Sequence, residues 1–143
     1  MGNRYYNKRN YIKATKYYEK SIEIKPDNAF PYNGRGNVYL KKGNYDKAIV
    51  YYEKAIELKS DYPFPYNGKG NVYLRKGNYD KAIECYEKAI ELKPDNANAH
   101  YNMGRAYKYK SNPEMADYYF QQANLISSEQ KRKTNEKNTA NLE

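Results

Sequence analysis

The sequence repeats itself. Residues 29–62 read AFPYNGRGNVYLKKGNYDKAIVYYEKAIELKSDY and residues 63–96 read PFPYNGKGNVYLRKGNYDKAIECYEKAIELKPDN. Laid over each other without a gap, 27 of 34 positions are identical. A looser third copy begins at Ala97 and runs to about Ile126, and Gly2, Tyr5, Ala14, Tyr18 and Pro26 fall in the same register ahead of the first. A period of this length constrains a chain more than composition does. Each copy is one small unit that cannot bury its apolar face alone, so the copies must stack on one another.

Each copy reads as two helices, the first from about Pro31 to Lys42 and the second from about Tyr45 to Lys59. Gly43 and Asn44 separate them: Gly takes the left-handed conformation that ends a helix, and Asn caps the next. Asp46 then lies where a negative charge meets the positive end of a helix. In the third copy Ser111-Asn112-Pro113 does the same by another route, with Asn as cap and Pro at the first helical position. Pro26-Asp27-Asn28 and Pro94-Asp95-Asn96 punctuate the joins between copies, and Pro31, Pro63 and Pro65 sit in first turns, where a missing amide donor costs little. In the second half, Ala48, Tyr52, Ala55 and Ile56 fall on one helical face, and the small alanines let a neighbouring helix come close. The fold class expected is all-α. The organisation expected is one solenoid: a partial N-terminal copy over 1–28, mainly its second helix; copies over 29–62 and 63–96; a looser copy over 97–128; and a polar tail over 129–143 that either prolongs the last helix or is disordered.

These residues resemble the tetratricopeptide repeat family, whose period is 34 with an aromatic, Leu-Gly, Tyr, Ala, an aromatic, Ala and Pro at set offsets. In the second copy those slots hold Tyr66, Lys69, Gly70, Tyr73, Ala82, Tyr86, Ala89 and Pro94. In the first they hold Tyr32, Arg35, Gly36, Tyr39, Ala48, Tyr52, Ala55 and Ser60, and in the third His100, Met103, Gly104, Tyr107, Ala116, Phe120, Ala123 and Ser128. The match spans roughly residues 2–126. Arg35 and Lys69 depart from it in the Leu slot, where a long basic side chain can bury its stem and keep its charge wet. The resemblance implies a right-handed superhelix of antiparallel helix pairs, with first helices lining a concave groove and second helices forming the outer face.

Catalytic and metal chemistry find little footing. The one histidine, His100, occupies the slot of Tyr32 and Tyr66 and reads as a packing residue. Cys85, the single cysteine, takes the slot of Tyr51 with no base near it, whereas a nucleophile needs one in reach. A structural zinc needs about four Cys or His ligands, and the chain has two such residues. The glycines of NGRGN and NGKGN follow no strand, so a dinucleotide loop is excluded. No enzyme activity, metal or cofactor is expected. A lone cysteine fits a reducing, cytoplasmic compartment, and no run of about 18 apolar residues is present to span a membrane.

The charge distribution carries the functional expectation. With 26 Lys and Arg against 17 Asp and Glu, the chain has a formal charge of +9, which favours anionic partners. The first halves, 29–42, 63–76 and 97–110, contain no acid at all but carry Arg35, Lys41, Lys42, Lys69, Arg75, Lys76, Arg105, Lys108 and Lys110. Positions four apart share a helix face: Asn33, Asn37 and Lys41; Asn67, Asn71 and Arg75; Tyr101, Arg105 and Tyr109, with Asn102 and Lys108 beside them. Phe30, Phe64 and Asn98 lie one turn earlier. By the resemblance these are groove positions. Asn both donates to and accepts from a peptide backbone, and Lys and Arg hold carboxylates. Chaperone-tail-binding members of the family use a Lys–Asn clamp. Asn37 and Asn71 match its Asn, but its Lys would fall at Asn33 or Asn67 and is absent.

The expected function is a protein-interaction scaffold whose basic, Asn- and Tyr-rich groove binds an acidic or carboxylate-bearing peptide segment of another protein. Two alternatives stay open. Basic side chains interleaved with Tyr also suit single-stranded nucleic acid, though no RNA-binding motif is present and the acids lie on the outer face. The register of Gly2, inside a first helix, suggests a homo-oligomer in which another copy completes the first unit.

Overall fold

The computed structural model describes residues 2–142, with the side chains of residues 2–7 and 9 outside the description, and with them the register marks Gly2 and Tyr5. The described residues form seven helices and no strand: α1 (Gly2–Ile24), α2 (Ala29–Lys41), α3 (Tyr45–Leu58), α4 (Pro63–Arg75), α5 (Tyr79–Leu92), α6 (Ala97–Tyr109) and α7 (Pro113–Ala140). The all-α helical solenoid expected from the repeat is the fold observed.

The turns form as their residues dictate. Gly43 (φ 76°) and Gly77 (φ 78°) take the left-handed conformation after α2 and α4, and Ser111 (φ 59°) takes it after α6. Asn44, Asn78 and Asn112 then accept from the backbone amides of Lys47, Lys81 and Met115, capping α3, α5 and α7. No glycine follows Tyr109, so Ser111 adopts an unfavourable backbone there, and the Asn112 cap and Pro113 at the start of α7 offset it.

The closest pairings are α2 with α3, α4 with α5 and α6 with α7. Each pair also packs on the next through α1–α2, α3–α4 and α5–α6. The first helices α2, α4 and α6 touch one another in sequence as well, whereas α3 does not reach α5 nor α5 reach α7. The stack therefore closes up on the first-helix side and opens on the other, making α2, α4 and α6 its concave layer.

The core is thin and layered. Tyr52 and Tyr86 are fully buried, among Ala48, Ala55, Ala82 and Ala89, which are also fully buried. Burying each ring is worth about 1.5–3 kcal/mol. Their fit depends on glycine. A Cβ placed on Gly36 or Gly68 would lie 2.5 or 2.4 Å from the Tyr52 ring, and one on Gly70 would lie 2.5 Å from Tyr86. Both slots occur on first helices, so one tyrosine locks its own pair and the next.

The two ends differ from this interior. In α1, Tyr18 stands where Tyr52 and Tyr86 stand, but it is only half-buried, and Ile12, Tyr17 and Ile24 are exposed. At the other end α7 runs straight through residues 127–140, and its polar side chains from Ser128 onward are exposed. Gln130 ties this extension back by donating to the Asp95 carbonyl at 2.9 Å.

Candidate functional site

The thirteen residues singled out on the first helices do not share one role. Asn37 and Asn71 are half committed to the fold. Tyr52 Oη donates to Asn37 Oδ1 and Tyr86 Oη to Asn71 Oδ1, each at 2.7 Å. The ring comes through from the second helix and ends on the concave layer, at an exposed Asn37 and a half-buried Asn71. Burial pushes both phenols well above their ordinary range, against the pull of Arg75 on Tyr52 and of Arg105 on Tyr86. Both hydroxyls therefore stay protonated and donate.

Asn67 and Asn102 meet across α4 and α6, Asn102 Nδ2 donating to Asn67 Oδ1 at 3.5 Å. Asn33, 8% exposed, donates through Nδ2 to Tyr62 Oη at 3.4 Å, while its Oδ1 has no partner. At the slot of Asn102 one copy earlier stands Gly68, which has no side chain to offer. Phe30 and Phe64 are exposed and flank Tyr62 edge-on, with ring centroids 5.0 and 5.5 Å from it. Tyr101 is exposed and leans on Phe120 at 5.4 Å. Asn98 is exposed.

The basic residues sort into two sets. Arg35 pairs with Glu19 and Lys69 with Glu53, both at 3.2 Å; Lys76 approaches Asp46 at 3.8 Å, and Lys110 pairs with Asp80. Each acid sits on the second helix of the preceding unit, so these four cations tie neighbouring units together. Arg35 and Lys69, the departures in the Leu slot, thus carry a structural message beyond a wetted charge. In the third copy the slot holds Met103, fully buried, and the tie is absent. The second set is Lys41, Lys42, Arg75, Arg105 and Lys108, none of which meets an acid among the described residues, Lys42 lying over the Tyr39 ring instead. Lys41, Arg75 and Lys108 are exposed and Arg105 half-buried. Arg75 also donates to the Leu40 carbonyl at 3.3 Å, which accepts from the Gly43 amide as well.

One residue the sequence reading missed belongs with them. Tyr62 occupies the slot of Asn28 and Asn96, whose Oδ1 atoms accept from the amides of Phe30 and Ala99 and so cap α2 and α6. α4 has no side-chain cap. Giving up such a cap costs about 0.5–2 kcal/mol, and here the slot holds a ring set between Phe30 and Phe64. The signal was present as one of the seven differences between the near-identical copies, Tyr62 against Asn96. Around Tyr62, residues of α1 and α2 enclose a hollow of about 390 Å3.

His100 is buried, with Nε2 2.9 Å from the Pro94 carbonyl. Burial pushes the Cys85 thiol up, away from the thiolate a nucleophile needs. Among the described residues no three His, Cys, Asp or Glu side chains gather as a metal site, and no helix is long and apolar enough to cross a membrane.

Known proteins place this arrangement. A family model described as TPR repeat matches residues 2–43 and 70–111, and three described as tetratricopeptide repeat match 29–62, 51–84 and 97–130. Among solved structures, the crystal structure of MamA superposes with a TM-score of 0.72 at 30% identity, over 82% of this chain and 69% of that one. That of YrrB, titled a TPR protein with an unusual peptide-binding site, gives 0.71 at 31% identity, over 78% of this chain and 57% of that one. The second TPR of Spaghetti (RPAP3), solved with the HSP90 peptide SRMEEVD, gives 0.65 at 24% identity over 68% and 91%, a likeness of fold alone. No curated protein matches. With matching repeats over more than half its length and the helix pairs stacked in register, the chain belongs to the tetratricopeptide repeat family.

Proposed function

We propose that this protein is an interaction scaffold rather than an enzyme, and that its concave first-helix layer binds an acidic peptide segment of another protein. The observation that carries this reading is the sorting of charge. Every acid lies off the first helices. Four of the nine cations in the first halves pair with an acid of the unit before them, while Lys41, Arg75, Arg105 and Lys108 are among those that meet no acid among the described residues. Unpaired cations beside asparagine amides favour carboxylates, which Arg takes in a bidentate fork. Asn37 and Asn71, each with its oxygen already occupied, offer donors to the carbonyls of an extended backbone. YrrB, at 31% identity, is a relative titled for peptide binding, and a groove is a common place for such a segment.

Fluorescence anisotropy of labelled acidic peptide and of labelled single-stranded RNA, at low and near-physiological salt, tests this. Saturable peptide binding that survives salt and drops at least about tenfold for Arg75→Glu with Arg105→Glu, but not for Lys54→Ala with Lys88→Ala on the outer face, is the expected result. Tighter RNA binding that collapses as salt rises would replace the peptide reading with a nucleic-acid one.

A further inference from the structure

The hollow at the N-terminal end of the groove has a chemistry unlike the rest of it. Its walls include the rings of Tyr17, Tyr18, Phe30 and Tyr62 and the amides of Asn33 and Asn37, and no charged side chain lines it. At about 390 Å3 it lies near the small end of the roughly 300–1,000 Å3 range of ligand sites, room enough for one large side chain. Tyr17 is 69% exposed and Phe30 55%, so ring surface stands open to water at its mouth.

Two local features run against the stability of the free protein here. Tyr62 has displaced the asparagine that caps the other first helices. Asn33 is more than nine-tenths buried and leaves Oδ1 unpaired, although the equivalent Asn67 Oδ1 is satisfied by Asn102. An unpaired buried acceptor is costly and invites a donor. The terminal torsion of an Asn is soft, so a small rotation presents Oδ1 to an incoming group. Departures from local rules of this kind collect where a protein binds something.

We infer that this hollow takes one aromatic side chain of the segment bound in the groove, a side chain that carries its own hydrogen-bond donor, as tryptophan and tyrosine do. This rests on the peptide reading above and narrows it to a bipartite segment: a donor-bearing ring at the α1–α2 end and acids toward Lys41, Arg75, Arg105 and Lys108. The ring finds edge and face partners among the four aromatics, and its N–H or O–H completes Asn33. Phenylalanine fills the space but leaves the acceptor unpaired. An ammonium or guanidinium also donates, but the chain carries +9 and the hollow offers no carboxylate to repay the lost hydration.

The chain has no tryptophan, so the emission of a peptide tryptophan reports on its own surroundings. A labelled acidic peptide is made in two versions, with one tryptophan before or after the acidic run, and each is compared with Phe, Leu and Lys at that position. In at least one version tryptophan should bind about tenfold more tightly than leucine and severalfold more tightly than phenylalanine. Its emission should shift to the blue on binding. Phe30→Ala and Asn33→Ala should flatten these preferences. Phe30 is exposed, so its variant keeps the fold even if Asn33→Ala does not. Arg75→Glu with Arg105→Glu should weaken all peptides alike. Equal affinity for every anchor in both versions, or a preference for lysine, overturns the inference and leaves the groove reading standing. No saturable binding by any peptide overturns both.

Discussion

In the copies over 29–62 and 63–96 a buried tyrosine from the second helix reaches the groove and donates to an asparagine of the first, Tyr52 to Asn37 and Tyr86 to Asn71. In the copy that starts at Ala97 the same two slots hold Phe120 and Arg105. The hydroxyl and its acceptor are missing together. A tyrosine there without the asparagine would bury a donor beside a guanidinium that cannot accept. An asparagine without the tyrosine would lose its anchor. The pair is thus one unit, and where it is dissolved the groove gains a cation. The comparison also gives Asn37 and Asn71 a role in the fold itself: each anchors the hydroxyl of a buried tyrosine.

The contrast between the two kinds of copy is open to direct test, beginning with the largest effect. Tyr86→Ala removes a fully buried ring and should cost about 3–5 kcal/mol in a denaturant titration, whereas Phe120→Ala, half-buried beside the α7 extension, should cost roughly half as much. Equal losses would mean that the third unit is packed as tightly as the inner ones.

The ionisation of the buried phenols offers a second contrast. Burial raises the phenols of Tyr52 and Tyr86, while the unfolded chain ionises near pH 10. The unfolded state therefore gives up these protons first. The stability they contribute is complete below about pH 10 and falls as pH rises above it. Tyr52→Phe with Tyr86→Phe should flatten the loss of stability between about pH 9 and 11 relative to the unaltered chain, and an unchanged slope would place the loss in other groups.

A smaller effect tests whether the pair is one unit. Tyr86→Phe should cost about 1 kcal/mol, the worth of one hydrogen bond. Building the pair into the third copy, Phe120→Tyr with Arg105→Asn, should show a favourable coupling of about 0.5–1.5 kcal/mol over the two single changes. Additive singles would sink the idea. The smallest effect concerns the ion pairs. Lys69→Ala, which breaks the tie to Glu53 between units, should cost up to about 1 kcal/mol, whereas Lys54→Ala, beside Glu57 on one exposed helix face, should fall within about 0.5 kcal/mol of zero.

Much of the architecture was legible before any coordinates. Gly43, Gly77 and Asn112 announce their turns because the left-handed conformation and the amide cap are local requirements of one or two residues. Ala48, Tyr52 and Ala55 announce a buried face because helical spacing is local too. The candidate groove was legible only in part. The absence of acids from α2, α4 and α6 stood out in the sequence, but the division of their cations did not. Arg35 and Lys69 look like any surface bases until Glu19 and Glu53 are seen opposite them, 16 residues away along the chain. The part played by Tyr62 was not legible, since it depends on Phe30 and Asn33 at the other end of its own copy.

The sequence by itself determined the repeat, the helix pairs, their turns and the separation of charge between first and second helices, because each follows from neighbours within about a turn of helix or from strict periodicity. Tertiary structure alone decided which side chains remain free. Whether Asn33 is satisfied depends on the side chain that α4 presents to it. Whether Arg75 or Arg35 meets a carboxylate depends on the helix packed alongside. Hydrogen bonds and ion pairs act over a few ångströms of space, and the stacking of units, rather than the order of residues, sets those distances.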